Sequence, residues 1–145
     1  MERVDYVDNF IAVAEDSGAE KGTPPPFKPE NPSIAARTYR MIIEHPYEYT
    51  SGDVIFTVFA DRNGIAEVDR AAARADFYSR SRACLRSSDL PKRYGWGIHA
   101  DARGRVALYG VDTPEYAKFV SGQRRSESGK PITVKRAMRS SRNAS

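Results

Sequence analysis

Tyr94-Gly95-Trp96-Gly97-Ile98-His99-Ala100-Asp101-Ala102-Arg103-Gly104-Arg105-Val106-Ala107-Leu108-Tyr109-Gly110 is the stretch that decides the fold. The residues alternate on either side of Asp101-Ala102-Arg103-Gly104, a turn with its glycine where a positive φ is wanted. Two strands, Tyr94 to Ala100 and Arg105 to Gly110, therefore form a hairpin. In the first, Tyr94, Trp96 and Ile98 share one face, while Gly95, Gly97 and His99 share the other. Alternate strand glycines mark places where a backbone, a helix or a ligand approaches closely. The bare lane beside His99 is thus read either as a seat for a helix or as a ligand groove.

Working outward, residues 6 to 14 are β-prone with apolar groups on both faces, which predicts a central strand. Ser17 to Pro32 holds two glycines and five prolines and reads as a Pro/Gly-rich loop. Ser33 N-caps a helix to about Glu44, where His45 caps it and Pro46 stops it; a strand through Tyr39, Met41 and Ile43 competes. Thr50 and Asp53 resemble a capping box for a helix from Gly52 to Asn63. Residues 66 to 82 predict a helix with Val68, Ala71, Ala72, Ala75 and Tyr78 inward and Arg70, Arg74, Asp76 and Arg80 in water. Ala83 to Ser87 reads as a further strand and Ser88 to Lys92 as a turn. Thr113 caps a short helix ending near Gly122. Gln123 to Pro131 reads as a flexible polar excursion, and residues 132 to 136 as a closing strand.

The expected architecture is α+β, with an antiparallel sheet of four to five strands and three to four helices packed mainly on one face. The 145 residues make one domain, with the loop at 17–32, the excursion at 123–131 and a basic tail at 137–145. An edge strand could pair two copies into a homodimer.

Hydrophobic residues at 40% and charged residues at 29% describe an ordinary globular chain, and no apolar run is long enough to span a membrane. No secretory signal is visible, and a single cysteine excludes an internal disulfide, so a cytoplasmic location is expected. Charge is unevenly placed. Residues 1 to 73 carry 7 Lys/Arg against 13 Asp/Glu, whereas residues 74 to 145 carry 16 against 6. A basic second half either steers an anionic partner or is neutralised by packing against the first.

The segments Pro46-Tyr47-Glu48-Tyr49-Thr50-Ser51, Lys92-Arg93-Tyr94-Gly95-Trp96-Gly97-Ile98-His99, Ala107-Leu108-Tyr109-Gly110 and Ala137-Met138-Arg139-Ser140 together resemble a bacterial family of small proteins of unknown function. The resemblance spans most of the chain and is carried above all by Tyr-Gly-Trp-Gly-Ile-His. It implies no activity and supplies no catalytic residues; the chain departs from the pattern around Gln123 to Pro131.

Three function classes follow from the residues. The leading one is a binding module in which Arg86, Lys92, Arg93, Gly95, Gly97 and His99 receive an anionic ligand. Arg80, Arg82, Arg86, Lys92 and Arg93 around Tyr94 and Trp96 extend this to nucleic acid, where cations meet phosphates and rings stack on bases. The second is an enzyme in which His99 acts with Tyr94 or Tyr109 as acid or base. The third is a protein adaptor recognised through Tyr47, Tyr49 and Pro24 to Pro26. Cys84 with His99 suggests a thiol–imidazole pair, set against an inert core thiol. Asp53, Asp61 and Asp101 lack the spacing of a cation site, two histidines and one cysteine make no zinc pattern, and Gly95-Trp96-Gly97 is not followed by a helix. No metal and no cofactor are expected.

Overall fold

A computed structural model of the chain describes residues 2–140. The hairpin forms as the alternation predicts: β2 (Trp96–Ala100) pairs antiparallel with β3 (Val106–Gly110), Trp96 opposite Gly110 and Ala100 opposite Val106. Asp101 fixes the turn, its Oδ1 accepting the N–H groups of Arg103 and Arg105 at 2.9 Å. β1 (Asn9–Ala12) lies antiparallel to β2, with all four of its residues buried as befits a central strand. On its other side β1 pairs with β4 (Thr133–Arg136), giving the order β3-β2-β1-β4.

The β1 to β4 pairing is parallel, so the sheet is mixed and not purely antiparallel. The cause lies in the short helix whose cap is legible at Thr113. This helix (Pro114–Val120, α5 below) carries the chain from β3 across one sheet face to β4, and a crossover of that kind returns the chain to the same end, making the strands it joins parallel. It also puts a helix on the face opposite the other long helices, so the layers lie on both faces of the sheet.

On the first face, α1 (Ile34–Glu44) and α2 (Ser51–Arg62) pack Ile42, Val54 and Val58 against Ile11, Ile98, Ala100 and Val106. Both helix starts are as the sequence predicts: Ser33 accepts from Ala36 N–H, and Thr50 and Asp53 form a reciprocal capping box. On the second face, α5 packs Tyr116 and Phe119 onto Phe10, Ala12 and Ile132, with Phe10 and Phe119 stacked at 4.5 Å.

Five α-helices form among the described residues where three to four are expected, and several expected elements differ. Within the expected strand at Ala83 to Ser87, Leu85–Ser87 is a turn of 3-10 helix, and the Pro91 turn is a short helix, α4 (Asp89–Arg93). Ser88 accepts from Leu90 N–H as its N-cap, and Pro91 lies in the first turn, where a missing donor costs nothing. Tyr94 is the C-cap of α4 and not a strand residue. α3 (Arg70–Phe77) is shorter than predicted; Tyr78 packs inward and Asp76 and Arg80 are exposed as expected, but Val68 is 89% exposed and Ala71, Ala72 and Ala75 lie outside. Arg70 and Arg74 turn inward because they find carboxylates. Arg74 holds both oxygens of Glu2 and reaches Asp53 at 2.9 Å, and Arg70 reaches Asp61 at 2.9 Å. These bonds tie the N-terminal segment and α3 to α2.

Neither sheet edge is bare. Tyr47 N–H bonds Val106 O, and Val106 N–H bonds Tyr49 O, both at 2.8 Å, so residues 47–50 line the β3 edge. At β4, Arg86 Nε holds Arg136 O at 2.8 Å, and Lys135 and Arg136 place charge on an exposed strand. The excursion folds back through Ser126 N–H to Lys130 O. Past β4, Ala137 is buried, and Arg139 pairs with Glu15; Arg142 of the basic tail lies outside the described residues. No helix among the described residues is long and apolar enough to cross a membrane.

Candidate functional site

The glycine lane is filled. A Cβ on Gly97 would lie 2.3 Å from Phe10 Cζ and 2.8 Å from Tyr116, so the lane is the seat of α5 and its partner ring. Gly95 has φ +77°, and a Cβ there would meet Lys21 O at 2.2 Å. The Pro/Gly-rich loop is laid across this end of the sheet: Thr23 N–H bonds Tyr94 O, and Trp96 Nε1 donates to Thr23 O at 2.9 Å. Trp96 is consequently wedged between that loop and Tyr39 of α1, and both sheet faces are covered.

His99, at the far end of β2, is 5% exposed. Its ring packs on Phe119 at 4.5 Å, and Nδ1 lies 2.8 Å from the hydroxyl of Tyr47, which in turn lies 2.7 Å from the hydroxyl of Tyr109. This chain admits two proton arrangements. If Tyr109 donates to Tyr47 and Tyr47 to Nδ1, then Nε2 carries the proton; if Nδ1–H donates to Tyr47 and Tyr47 to Tyr109, Nε2 is an acceptor. Among the described residues Nε2 has no hydrogen-bond partner, yet it is not among the sealed polar atoms, so it is the nitrogen that opens outward. Burial, with a smaller push from Arg124, lowers the His99 pKa to about 4 against a pull from Asp101, leaving a neutral ring at pH 7. Burial and the neighbouring Tyr109 hold the Tyr47 hydroxyl above the ordinary tyrosine range.

The opening is a cleft of about 160 Å³ that Asp8, Tyr47, His99, Asp101, Arg124 and Arg125 help to line. The polar excursion after α5 builds one wall. Arg124 lies 5.0 Å from the Phe119 ring centre, and among the described residues no carboxylate pairs with it. Two non-glycine residues have a left-handed backbone among those described, Asp8 (φ 47°) and Tyr47 (φ 60°), and both line this cleft. Asp8 is pinned by its N–H to Asp101 O and its C=O to Thr133 N–H, and Tyr47 by its N–H to Val106 O. A bulky residue in that region stores backbone strain, which is tolerated where surrounding structure over-determines it and which clusters at functional sites.

The sequence-predicted residues divide accordingly. His99 and Tyr109 come together, with Tyr47 as the link that sequence reasoning assigned only to an adaptor surface. Arg86 is spent on the β4 carbonyl, Lys92 and Arg93 stand on α4 ahead of β2, and Arg93 lies 3.7 Å from Asp89. None of the three lines the cleft. Tyr94 lines a separate surface hollow with Pro26 and Pro32. Cys84 is hydrogen-bonded to Tyr6 at 3.1 Å and belongs to the α1 and α2 side, so the thiol–imidazole pair does not form. Asp53 and Asp61 are engaged by arginines, and among the described residues no cluster of three metal-ligating side chains occurs. Arg124 and Asp8 were missed. The only sequence signal was a pair of arginines just past a capped helix.

No curated protein and no solved structure matches the chain. The model of one family, described as a family of unknown function (DUF6157), matches residues 1–143. That match covers the hairpin, the strained segments and the cleft-lining arginines alike, and the chain belongs to this family.

Proposed function

We propose that this protein binds a small anionic ligand in the cleft of His99, with Arg124 and Nε2 of His99 taking the oxyanion. The observation that carries the reading is the convergence of Asp8 and Tyr47, the two left-handed non-glycine residues among those described, on an opening lined by a neutral imidazole and by a guanidinium that no carboxylate among the described residues pairs. A guanidinium offers a fork of donors matched to carboxylate or phosphate, and the Tyr109 to Tyr47 to Nδ1 arrangement makes Nε2 a third donor. Asp8 takes no side-chain hydrogen bond among the described residues and would select an anion that also carries a donor. The volume suits a ligand of a few heavy atoms better than a polymer.

The test is a titration with inorganic phosphate followed through the imidazole nitrogens by NMR, with His45 as the internal control. The His99 signals should move saturably, and Arg124→Gln should weaken binding about tenfold or more. Stationary His99 signals, or equal binding by Arg124→Gln, would overturn the reading.

A second reading, an acid–base enzyme using His99 and Tyr109, is favoured by the hydrogen-bonded chain through Tyr47. On that reading the chain sets which nitrogen holds the proton, so Tyr47→Phe should change the tautomer ratio reported by the two nitrogen shifts; an unchanged ratio removes it.

A further inference from the structure

A second, larger cavity of about 270 Å³ lies on the other side of the sheet, between α1, α2, α3 and residues 83–88. Its floor is apolar and buried, made by Val58, Phe77 and Leu85, with Phe59 along one wall. Of its polar lining, Asn63 donates to Phe59 O, the Ser87 hydroxyl to Met138 Sδ, and the Ser88 hydroxyl accepts from Leu90 N–H, which leaves Thr38 and Arg62. Thr38 is 4% exposed, and among the described residues its hydroxyl makes no hydrogen bond; it is not sealed either, so it opens into the cavity it lines. A hydroxyl that opens into an apolar cavity offers a hydrogen bond to a polar atom bound there. Arg62, in the last turn of α2, stands exposed at the rim, and no carboxylate among the described residues pairs with it. Ile34, one helical turn before Thr38, lines the same rim and is exposed.

An apolar floor, one inward hydroxyl and a free guanidinium at the mouth are complementary to a small amphipathic acid. We propose that this cavity binds an apolar monocarboxylate, its carbon chain lying against Phe59 and Phe77, its carboxylate at Arg62 and the Thr38 hydroxyl supplying the inner polar contact. Pockets for small molecules begin at about 300 Å³, so the occupant is a short acid of roughly ten carbons and not a full-length lipid. The site is independent of the His99 cleft and stands or falls separately from it.

Cys84, the chain's single cysteine, lines the cavity with its Sγ 3.1 Å from the Tyr6 hydroxyl, and its alkylation is the readout. The experiment measures the rate at which iodoacetamide alkylates Cys84 in the whole protein, with and without decanoate, held below the concentration at which it forms micelles. Decanoate should slow alkylation about tenfold at saturation, and the half-protecting concentration should rise about fivefold in Arg62→Gln and about threefold in Thr38→Val. Decyltrimethylammonium, with the same chain and the opposite charge, should not protect. Absence of protection by decanoate, equal protection by the cationic amphiphile, or unaltered protection in Arg62→Gln would each overturn the proposal. Arg62 is exposed and unpaired among the described residues, so its variant keeps the test valid even if Thr38→Val unfolds the chain.

Discussion

The two faces of β2 are covered by different means, and the difference locates the chemistry. Trp96 and Ile98 look toward α1 and α2, eleven and twelve residues long, whose side chains close over Ile98 completely. Gly97 and His99 look toward α5, seven residues long, which covers Gly97 with Tyr116 and reaches only the ring face of His99 through Phe119. A seven-residue helix spans about 10 Å, roughly three strand residues, so it cannot seal a five-residue strand from end to end. At the end that α5 does not reach, Tyr47 and the 123–127 segment are drawn in over His99, and polar groups line the remaining gap. A strand face packed by a short crossover helix leaves a cleft at its far end; a face packed by two long helices leaves core.

The largest test of this comparison is to force the short helix off its seat. Gly97→Ala places a methyl against Phe10 and Tyr116, both buried rings, and should cost about 3 kcal/mol. Urea unfolding measures it. Alanine at Gly18, where nothing lies within 4 Å, is the control and should be near neutral. A loss at Gly97 below about 1 kcal/mol would mean that α5 slides freely on the sheet and that the cleft is not a fixed object.

The next effect sharpens the comparison through pH. The unfolded chain protonates His99 near pH 6.5, whereas the folded chain resists until about pH 4. In that window the unfolded state binds more protons, so stability present above pH 6.5 is lost as pH falls toward 4. The expected loss between pH 7.5 and 5 is about 2 kcal/mol. Glu2, held low by Arg74, and Asp53, held low against its burial by the Thr50 N–H and then Arg74, add a loss of the same sign at lower pH, so the informative quantity is the difference between wild type and His99→Gln. Parallel stability curves for the two proteins would show that His99 is hydrated and that α5 covers less than the packing indicates.

Much of this frame was legible, because the signals are local. The hairpin came from a turn and an alternation, α2 from a reciprocal cap, α5 from Thr113 followed by Pro114, and His99 from its place opposite a bulky face. What stayed hidden depended on contacts distant in sequence. Alanines at helical spacing in residues 66 to 82 imitate a core stripe, but an alanine buries little, and Arg74 gains more by meeting Glu2, 72 residues away. Gly95, just before β2, and Gly97 within it announced a close approach without saying that one visitor was Lys21 of the loop and the other Tyr116. The direction of β4 could be known only after α5 was seen to cross the sheet. Arg124 belongs to a segment with no periodicity, so only the fold brings it to His99.

The smallest expected effect is the one that separates the two ends of β2. Lys92 and Arg93 were natural candidates for an anion site because they precede the Gly-Trp-Gly motif, but they project from α4 at the start of the strand, and the Arg93 to Asp89 pair at 3.7 Å is exposed on both sides. Exposed pairs of this kind contribute about 0–1 kcal/mol. Arg93→Gln should therefore leave stability within about 0.5 kcal/mol of wild type and phosphate binding unchanged, measured beside Arg124→Gln in the same titration. Net charge falls by one in both variants, so a long-range field effect would weaken both alike. A loss confined to Arg124→Gln places the anion at the end of the strand that the short helix does not reach.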